Sequence, residues 1–161
     1  MAYVSVAVGL IALAQLVHVA WHDFWYLKIR NKAVLALLIT YLVWAALNGF
    51  STFLSDLAIA ALLVLPALLM WLLRLLGAGD VKLYFALGLL LGLSHVGLFV
   101  IFLLVVTLLF QAALWIAGRR SEGGAVLQRM RFFRSEKKAP YGVVICIAAF
   151  VPVLLRIMGV P

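Results

Sequence analysis

The chain has 161 residues, of which 68% are hydrophobic and only 11% charged, and its formal net charge is +8. A soluble domain needs more polar surface than this, so the composition excludes a soluble globular protein and predicts a polytopic membrane protein. The one cysteine, Cys146, falls inside an apolar run, which excludes an intramolecular disulfide and a cysteine zinc site. We expect a single membrane-embedded domain over residues 1–161, because no large soluble domain fits around the apolar segments.

Six apolar segments predict an all-α bundle of six transmembrane helices. In chain order the predicted spans are residues 3–21, 33–47, 57–76, 81–93, 96–117 and 141–155. The first segment lacks the basic region and the small-residue cleavage site of a signal peptide, so we expect it to be retained as a span. Ser94 and His95 form the predicted turn between the fourth and fifth spans.

The basic residues are distributed unevenly between the predicted connections. Arg156 lies on one side of the spans, and the other 12 of the 13 basic residues lie on the opposite side. These are Lys28, Arg30, Lys32, Arg74, Lys82, Arg119, Arg120, Arg129, Arg131, Arg134, Lys137 and Lys138. The positive-inside rule therefore places both termini outside and the basic connections in the cytoplasm.

The longest of these connections is the basic loop, residues 118–140. From Arg119 to Lys138 it combines seven basic residues with apolar residues on roughly one helical face, namely Val126, Leu127, Met130 and Phe133. This pattern predicts an amphipathic element that lies on anionic membrane lipids. Nucleic acid is not expected as a partner, because a short membrane-tethered loop offers no folded reading element.

Two aspartates, Asp23 and Asp80, fall on this same side of the membrane, each at the edge of a span. A carboxylate beside hydrocarbon is costly and usually marks a functional site. If the two meet, they cannot both ionise cheaply, so one keeps a proton and the pair can act as general base and general acid on a shared water. The structural alternatives are that Asp80 caps the helix after Gly77-Ala78-Gly79 and that Asp23 is solvated at a helix end.

His18 and His22 are four residues apart and lie on one helical face. Together with Asp80 they offer an alternative metal site, but the intervening Val19-Ala20-Trp21 lacks the glutamate of the metalloprotease signature. We therefore predict structural, hydrogen-bonded histidines, no metal and no other cofactor. Asp56 falls on the opposite side of the membrane, and Asp56→Asn is predicted to leave activity nearly unchanged.

Gly88 and Gly92 form a G-x-x-x-G pattern in the fourth predicted span. Such a pattern allows two helices to approach closely. We expect it to pack the Asp80 helix against its neighbours within the chain; a dimer seam is the alternative.

The segments around the two aspartates resemble the type IV prepilin peptidase family, whose members are membrane aspartic proteases with a G-x-G-D motif. The segment Gly77-Ala78-Gly79-Asp80-Val81-Lys82-Leu83 is similar to the family's second-aspartate block. Asp23 with Ile29-Arg30-Asn31 resembles the first block, in which the family usually has Ile-Pro-Asn. Pro140-Tyr141-Gly142 is similar to the family's final segment. The resemblance implies catalytic roles for Asp23 and Asp80 and supporting roles for Gly77, Gly79, Lys82 and Asn31.

Larger members of that family have a cytoplasmic insertion with paired cysteines and also methylate the new N-terminus. Only residues 22–30 separate the first predicted span from Asn31, so the chain resembles the short six-span form associated with tight-adherence (Flp/Tad) pili. The resemblance implies removal of a short basic leader from a prepilin at the cytoplasmic face of the inner membrane, without N-methylation.

Two alternatives to this function remain. An archaeal preflagellin peptidase is a nearby relative with the same kind of chemistry. A non-enzymatic proton-coupled carrier could use the same two aspartates as a relay. Against the carrier, the acidic residues lie at one interface rather than at the midplane, and no inverted repeat is evident.

Overall fold

The computed structural model describes residues 2–119, 124–136 and 139–160. The described residues form six helices and no strand: α1 Ala2–Tyr26, α2 Asn31–Leu47, α3 Phe53–Leu72, α4 Ala78–Ala117, α5 Ala125–Ser135 and α6 Tyr141–Ile157. Helices α1, α3 and α4 are long and apolar enough to cross a membrane, and α2 and α6 are shorter apolar helices of 17 residues each. The predicted all-α membrane bundle is confirmed.

Helix α4 consists of two helical halves, residues 78–91 and 93–117, separated at Gly92. Gly92 has φ 59° and ψ −175°, a left-handed backbone conformation that glycine adopts without a steric penalty. The ring centroids of Tyr84 and Phe99 are 6.3 Å apart, whereas an unbroken helix would carry these residues about 22 Å apart along its axis. The chain therefore folds back at Gly92, and the two halves correspond to the predicted fourth and fifth spans.

The predicted position of this turn is wrong by two to three residues. Ser94 and His95 are helical, and His95 is buried with its Nε2 3.0 Å from the Val160 carbonyl oxygen. Polar residues suggested the turn, but the backbone reverses where a residue without Cβ permits a positive φ.

Gly88 and Gly92 serve different purposes in the fold. A Cβ added at Gly88 would overlap the backbone of Ala60, so the first half of α4 packs directly on α3. This contact confirms the predicted packing within the chain for Gly88. At Gly92 the requirement is the reversal of the chain.

A buried ion pair joins α3 and α6 beside this reversal. Arg156 Nη2 lies 2.6 Å from Asp56 Oδ2, and the Asp56 side chain is only 1% exposed. The same carboxylate oxygen accepts a hydrogen bond from the Tyr41 hydroxyl at 2.8 Å, and Arg156 Nη1 donates to the Leu89 carbonyl at 2.6 Å. Four segments of the bundle therefore meet at the Asp56 ion pair, which gives Asp56 a structural role; that Asp56→Asn leaves activity nearly unchanged stays a prediction.

Candidate active site

Asp23 and Asp80 lie at the end of the bundle opposite this ion pair. Asp23 is in the last turn of α1 and Asp80 in the first turn of α4, and both are buried, with 4% and 9% of their surfaces exposed. They belong to one site, because Gly79, next to Asp80, and Gly142, beside the Asp23 carboxylate, both pack against Ile29. Helix α1 continues beyond residue 21, the predicted end of the first span, to Tyr26, and so includes Asp23.

The glycine-rich segment before α4 orients the Asp80 carboxylate. Gly77 is extended at the N-terminal end of α4, with φ −79° and ψ 152°, and its backbone N–H donates to Asp80 Oδ2 at 3.0 Å. A carboxylate at this position satisfies a free amide and interacts favourably with the helix dipole. The capping role considered for Asp80 is therefore realised, and it also holds the carboxylate in one orientation.

The Asp23 carboxylate faces the beginning of α6. The backbone amides of Gly142 and Val143, in the first turn of α6, approach it. A Cβ added at Gly142 would lie 2.8 Å from Asp23 Oδ2, so only glycine leaves room for the carboxylate. Oδ2 is buried and has no hydrogen-bond partner among the described residues. Buried carboxylate oxygens are normally paired, so this atom is suited to accept a proton from a water or a substrate group.

Ile29 fills the space between the glycines that flank the two carboxylates. A Cβ at Gly79 would lie 3.0 Å from Ile29 Cβ, and one at Gly142 would lie 2.9 Å from Ile29 Cδ1. A side chain at Gly142 would force its neighbours to shift, and one at Gly79 would have very little room. Gly142 was part of the Pro140-Tyr141-Gly142 resemblance, but no role followed from the sequence, because its contact with Asp23 is formed only in the folded chain.

Asn31 and Lys82 connect the two sequence blocks. Lys82 Nζ donates to Asn31 Oδ1 at 3.0 Å, which joins the start of α2 to the start of α4. Arg30, which stands where the resembled family usually has proline, has φ −77° and ψ 135°. Proline fixes φ near −65 ± 15°, so Arg30 adopts the backbone conformation that proline would impose. The departure from the family pattern thus leaves the local turn intact.

Comparison with known families identifies the chain. Residues 10–116, which include both aspartates and their motifs, match the model of the type IV leader peptidase family. The chain belongs to this family. Comparison with curated proteins and with solved structures gives no match. Family membership and the apolar helices together describe a membrane protein of the leader peptidase type, with a type IV prepilin as its class of substrate.

His18 and His22 of this leader peptidase lie in the C-terminal part of α1. His22 Nδ1 is 2.8 Å from the Lys28 carbonyl oxygen, and its ring stacks on Tyr26 with centroids 4.6 Å apart. The His18 and His22 rings are 6.4 Å apart. Within residues 2–119, 124–136 and 139–160, no group of three His, Cys, Asp or Glu side chains is arranged to hold a metal.

Helix α5 forms the middle of the basic loop and packs against the same end of the bundle. Phe133 is fully buried, and its ring meets that of Phe24 edge to face at 5.4 Å. Arg129 donates to carbonyls of α1, and Arg134 Nη1 donates to the Trp115 carbonyl of α4 at 2.7 Å. The predicted amphipathic element is confirmed as a helix, but these two arginines bind backbone carbonyls of the bundle. Arg120, Lys137 and Lys138 lie outside the described residues.

Proposed function

We propose that this protein is an aspartic endopeptidase that removes a short basic leader from Flp/Tad-type prepilins. The observation that carries the proposal is the pair of buried aspartates, Asp23 and Asp80, whose neighbouring glycines both pack on Ile29 at one end of a membrane bundle. Both lie inside the region matched by the leader peptidase family. The reaction takes place at the cytoplasmic face of the inner membrane, within a single peptidase domain spanning residues 1–161, and it requires no cofactor.

The chemistry follows from two carboxylates that share one proton. The ionised carboxylate takes a proton from a water, whose oxygen attacks the scissile carbonyl carbon. The protonated carboxylate donates a hydrogen bond to the carbonyl oxygen as its negative charge develops. Collapse of the tetrahedral intermediate breaks the C–N bond, and a carboxyl proton passes to the leaving amine. The roles belong to the pair, because coupled carboxylates titrate together.

Purified protein mixed with a candidate prepilin tests this proposal directly. We expect a shortened prepilin and a released leader in vesicles or detergent without added metal. A preflagellin cleaved in preference to every prepilin would assign the protein to the archaeal type of substrate. Absence of any cleaved product, together with proton-coupled uptake of a solute, would favour the carrier and overturn the proposal.

The distribution of positive charge predicts the membrane orientation. We expect a reporter fused after Lys138 to behave as cytoplasmic and one fused near Ser51 as external, because 12 of 13 basic residues lie on the first side. Enzymatic reporters active on only one side of the membrane measure this. The opposite pattern would put both carboxylates on the wrong face for a cytoplasmic leader.

The short connection between α1 and α2 predicts cleavage without N-methylation. Only residues 27–30 separate the two helices, which leaves no room there for a domain that holds a methyl donor. Mass spectrometry of mature pilin, made with this protein as the only processing enzyme, measures the outcome. A mature chain heavier by one methyl group would contradict the prediction.

Anionic lipids are the second proposed partner. Helix α5 exposes Val126 and Phe132 in a loop rich in arginine, a combination that suits the boundary between headgroups and acyl chains. Flotation with vesicles of phosphatidylcholine alone or mixed with phosphatidylglycerol tests the contact, using a peptide that spans the loop. Equal binding to both vesicle types would argue against it.

A further inference from the structure

The end of α1 is held by a side chain from a distant part of the sequence. The last carbonyls of a helix have no partner within the helix. In α1 the Asp23 carbonyl accepts from the Leu27 amide at 2.8 Å, but the next two carbonyls are bound by Arg129. Arg129 Nε donates to the Phe24 carbonyl at 3.1 Å and Nη2 to the Trp25 carbonyl at 2.5 Å.

A guanidinium suits this double contact better than any other side chain. Its donors form a rigid planar fork, so one Arg129 side chain satisfies two successive carbonyls in a fixed orientation. Its positive charge also lies at the negative end of the α1 dipole. The edge-to-face contact of Phe133 with Phe24 supports the same junction from the next turn of α5. The end of α1 is thereby fixed to α5.

The backbone segment bound by Arg129 lies between two residues of the site, Asp23 and Ile29. Asp23 immediately precedes the two bound carbonyls. After them the chain turns sharply at Leu27, which has φ 51°, and returns Ile29 to its place beside Gly79 and Gly142. A shift of this junction would therefore move the Asp23 carboxylate and the Ile29 side chain together.

We propose that Arg129 is a positioning residue for the peptidase reaction, acting through the Phe24 and Trp25 carbonyls to hold Asp23 opposite Asp80. The inference rests on the proposed function, and Arg129 itself does not touch the substrate. Its fork is directed at the backbone of α1, which distinguishes it from the arginines expected to meet lipid headgroups. The distinguishing property is an effect on the chemical step without an effect on substrate binding.

Arg129→Ala tests the inference with Arg134→Ala as a matched control. Arg134 lies on the same helix and also donates to a carbonyl near a helix C-terminus, but that helix is α4. We expect Arg129→Ala to lower kcat for prepilin cleavage by about 10- to 100-fold with KM unchanged, because a misplacement of about 1 Å costs that much in rate. Arg134→Ala keeps both constants within about twofold of those of the unmodified protein.

Two further measurements separate positioning from a general loss of structure. Millimolar guanidinium ions added to Arg129→Ala are expected to restore part of kcat, because they can occupy the space between the two carbonyls. Arg129→Lys keeps the positive charge but not the planar fork of donors. Its kcat is therefore expected to lie between that of the unmodified protein and that of Arg129→Ala. If Arg129→Ala does not accumulate as folded protein, kcat and KM of Arg129→Lys decide the outcome. The unfolding temperature of Arg129→Lys then shows whether that variant is folded.

The possible failures are distinguishable. If Asp23→Asn is inactive but kcat is unchanged in Arg129→Ala, the positioning role is overturned and the proposed function stands. If Arg129→Ala does not fold, an unchanged kcat in Arg129→Lys has the same meaning. A raised KM with unchanged kcat would instead place Arg129 in substrate binding and also overturn it. Equal losses of kcat in Arg129→Ala and Arg134→Ala would assign both arginines to folding of α5. Cleavage that persists in Asp23→Asn overturns the proposed function, and the inference falls with it.

Discussion

Asp23→Asn and Asp80→Asn are each expected to abolish detectable prepilin cleavage, with kcat lowered about 100- to 10,000-fold. Asparagine keeps the shape of the side chain but cannot exchange the proton that the reaction needs. We expect both variants to remain folded, since the amide introduced by Asp80→Asn can still accept the Gly77 N–H through its carbonyl oxygen. Initial rates of product formation, together with thermal unfolding of the same preparations, measure the two effects separately.

The double variant provides a stricter test of the pair. Groups that act as one unit give non-additive losses, so Asp23→Asn combined with Asp80→Asn is expected to be no worse than either alone. Glu136→Gln is the matched control, because it converts an exposed carboxylate just after α5 to the amide at the same end of the bundle. Chelators are expected to have no effect. Substantial activity in either single variant, or inactivation by a chelator that added metal reverses, would refute the assignment.

Asp56→Ala is expected to lower the free energy of unfolding by about 3–5 kcal/mol, the usual cost of removing one partner from a buried ion pair. The substitution leaves the Arg156 guanidinium without its carboxylate beside Gly92, and it leaves the Tyr41 hydroxyl without its acceptor. Unfolding in mixed micelles, followed by circular dichroism, measures the loss. Lys32→Ala is the control, since replacement of an exposed charged side chain typically changes stability by about 0.5 kcal/mol or less.

Measuring cleavage activity distinguishes the loss of stability in Asp56→Ala from a loss of catalysis. Asp56 lies at the end of the bundle opposite Asp23 and Asp80, so cleavage per folded molecule is expected to be unchanged in Asp56→Ala. The double variant Asp56→Leu with Arg156→Met is expected to be less destabilised than the sum of its single variants, because it leaves no unpaired charge buried. If the unfolding free energy of Asp56→Ala is within about 0.5 kcal/mol of that of the unmodified chain, the ion pair contributes little to stability.

The sequence alone determined the membrane class, the six apolar segments and the relation between the two aspartates. These properties depend on composition and on alternation: every span moves the chain to the other side, so counting spans places Asp23 and Asp80 together. Local chemistry was equally readable from the sequence. Gly77 and Asp80 are three residues apart, and their capping contact depends only on that spacing.

Only the tertiary structure decided which distant groups meet. Asp56 and Arg156 are 100 residues apart, and Arg129 lies more than 100 residues after the carbonyls that it binds, so no local pattern connects them. The role of Gly142 likewise depends on where α6 packs, and the reversal at Gly92 depends on a backbone angle rather than on polarity. Hydropathy and charge report the depth and side of a residue in the membrane. Which residues become neighbours at that depth is determined by how the helices pack. Hydropathy and charge do not specify the order of the helices around the bundle, so these contacts are known only from the folded structure.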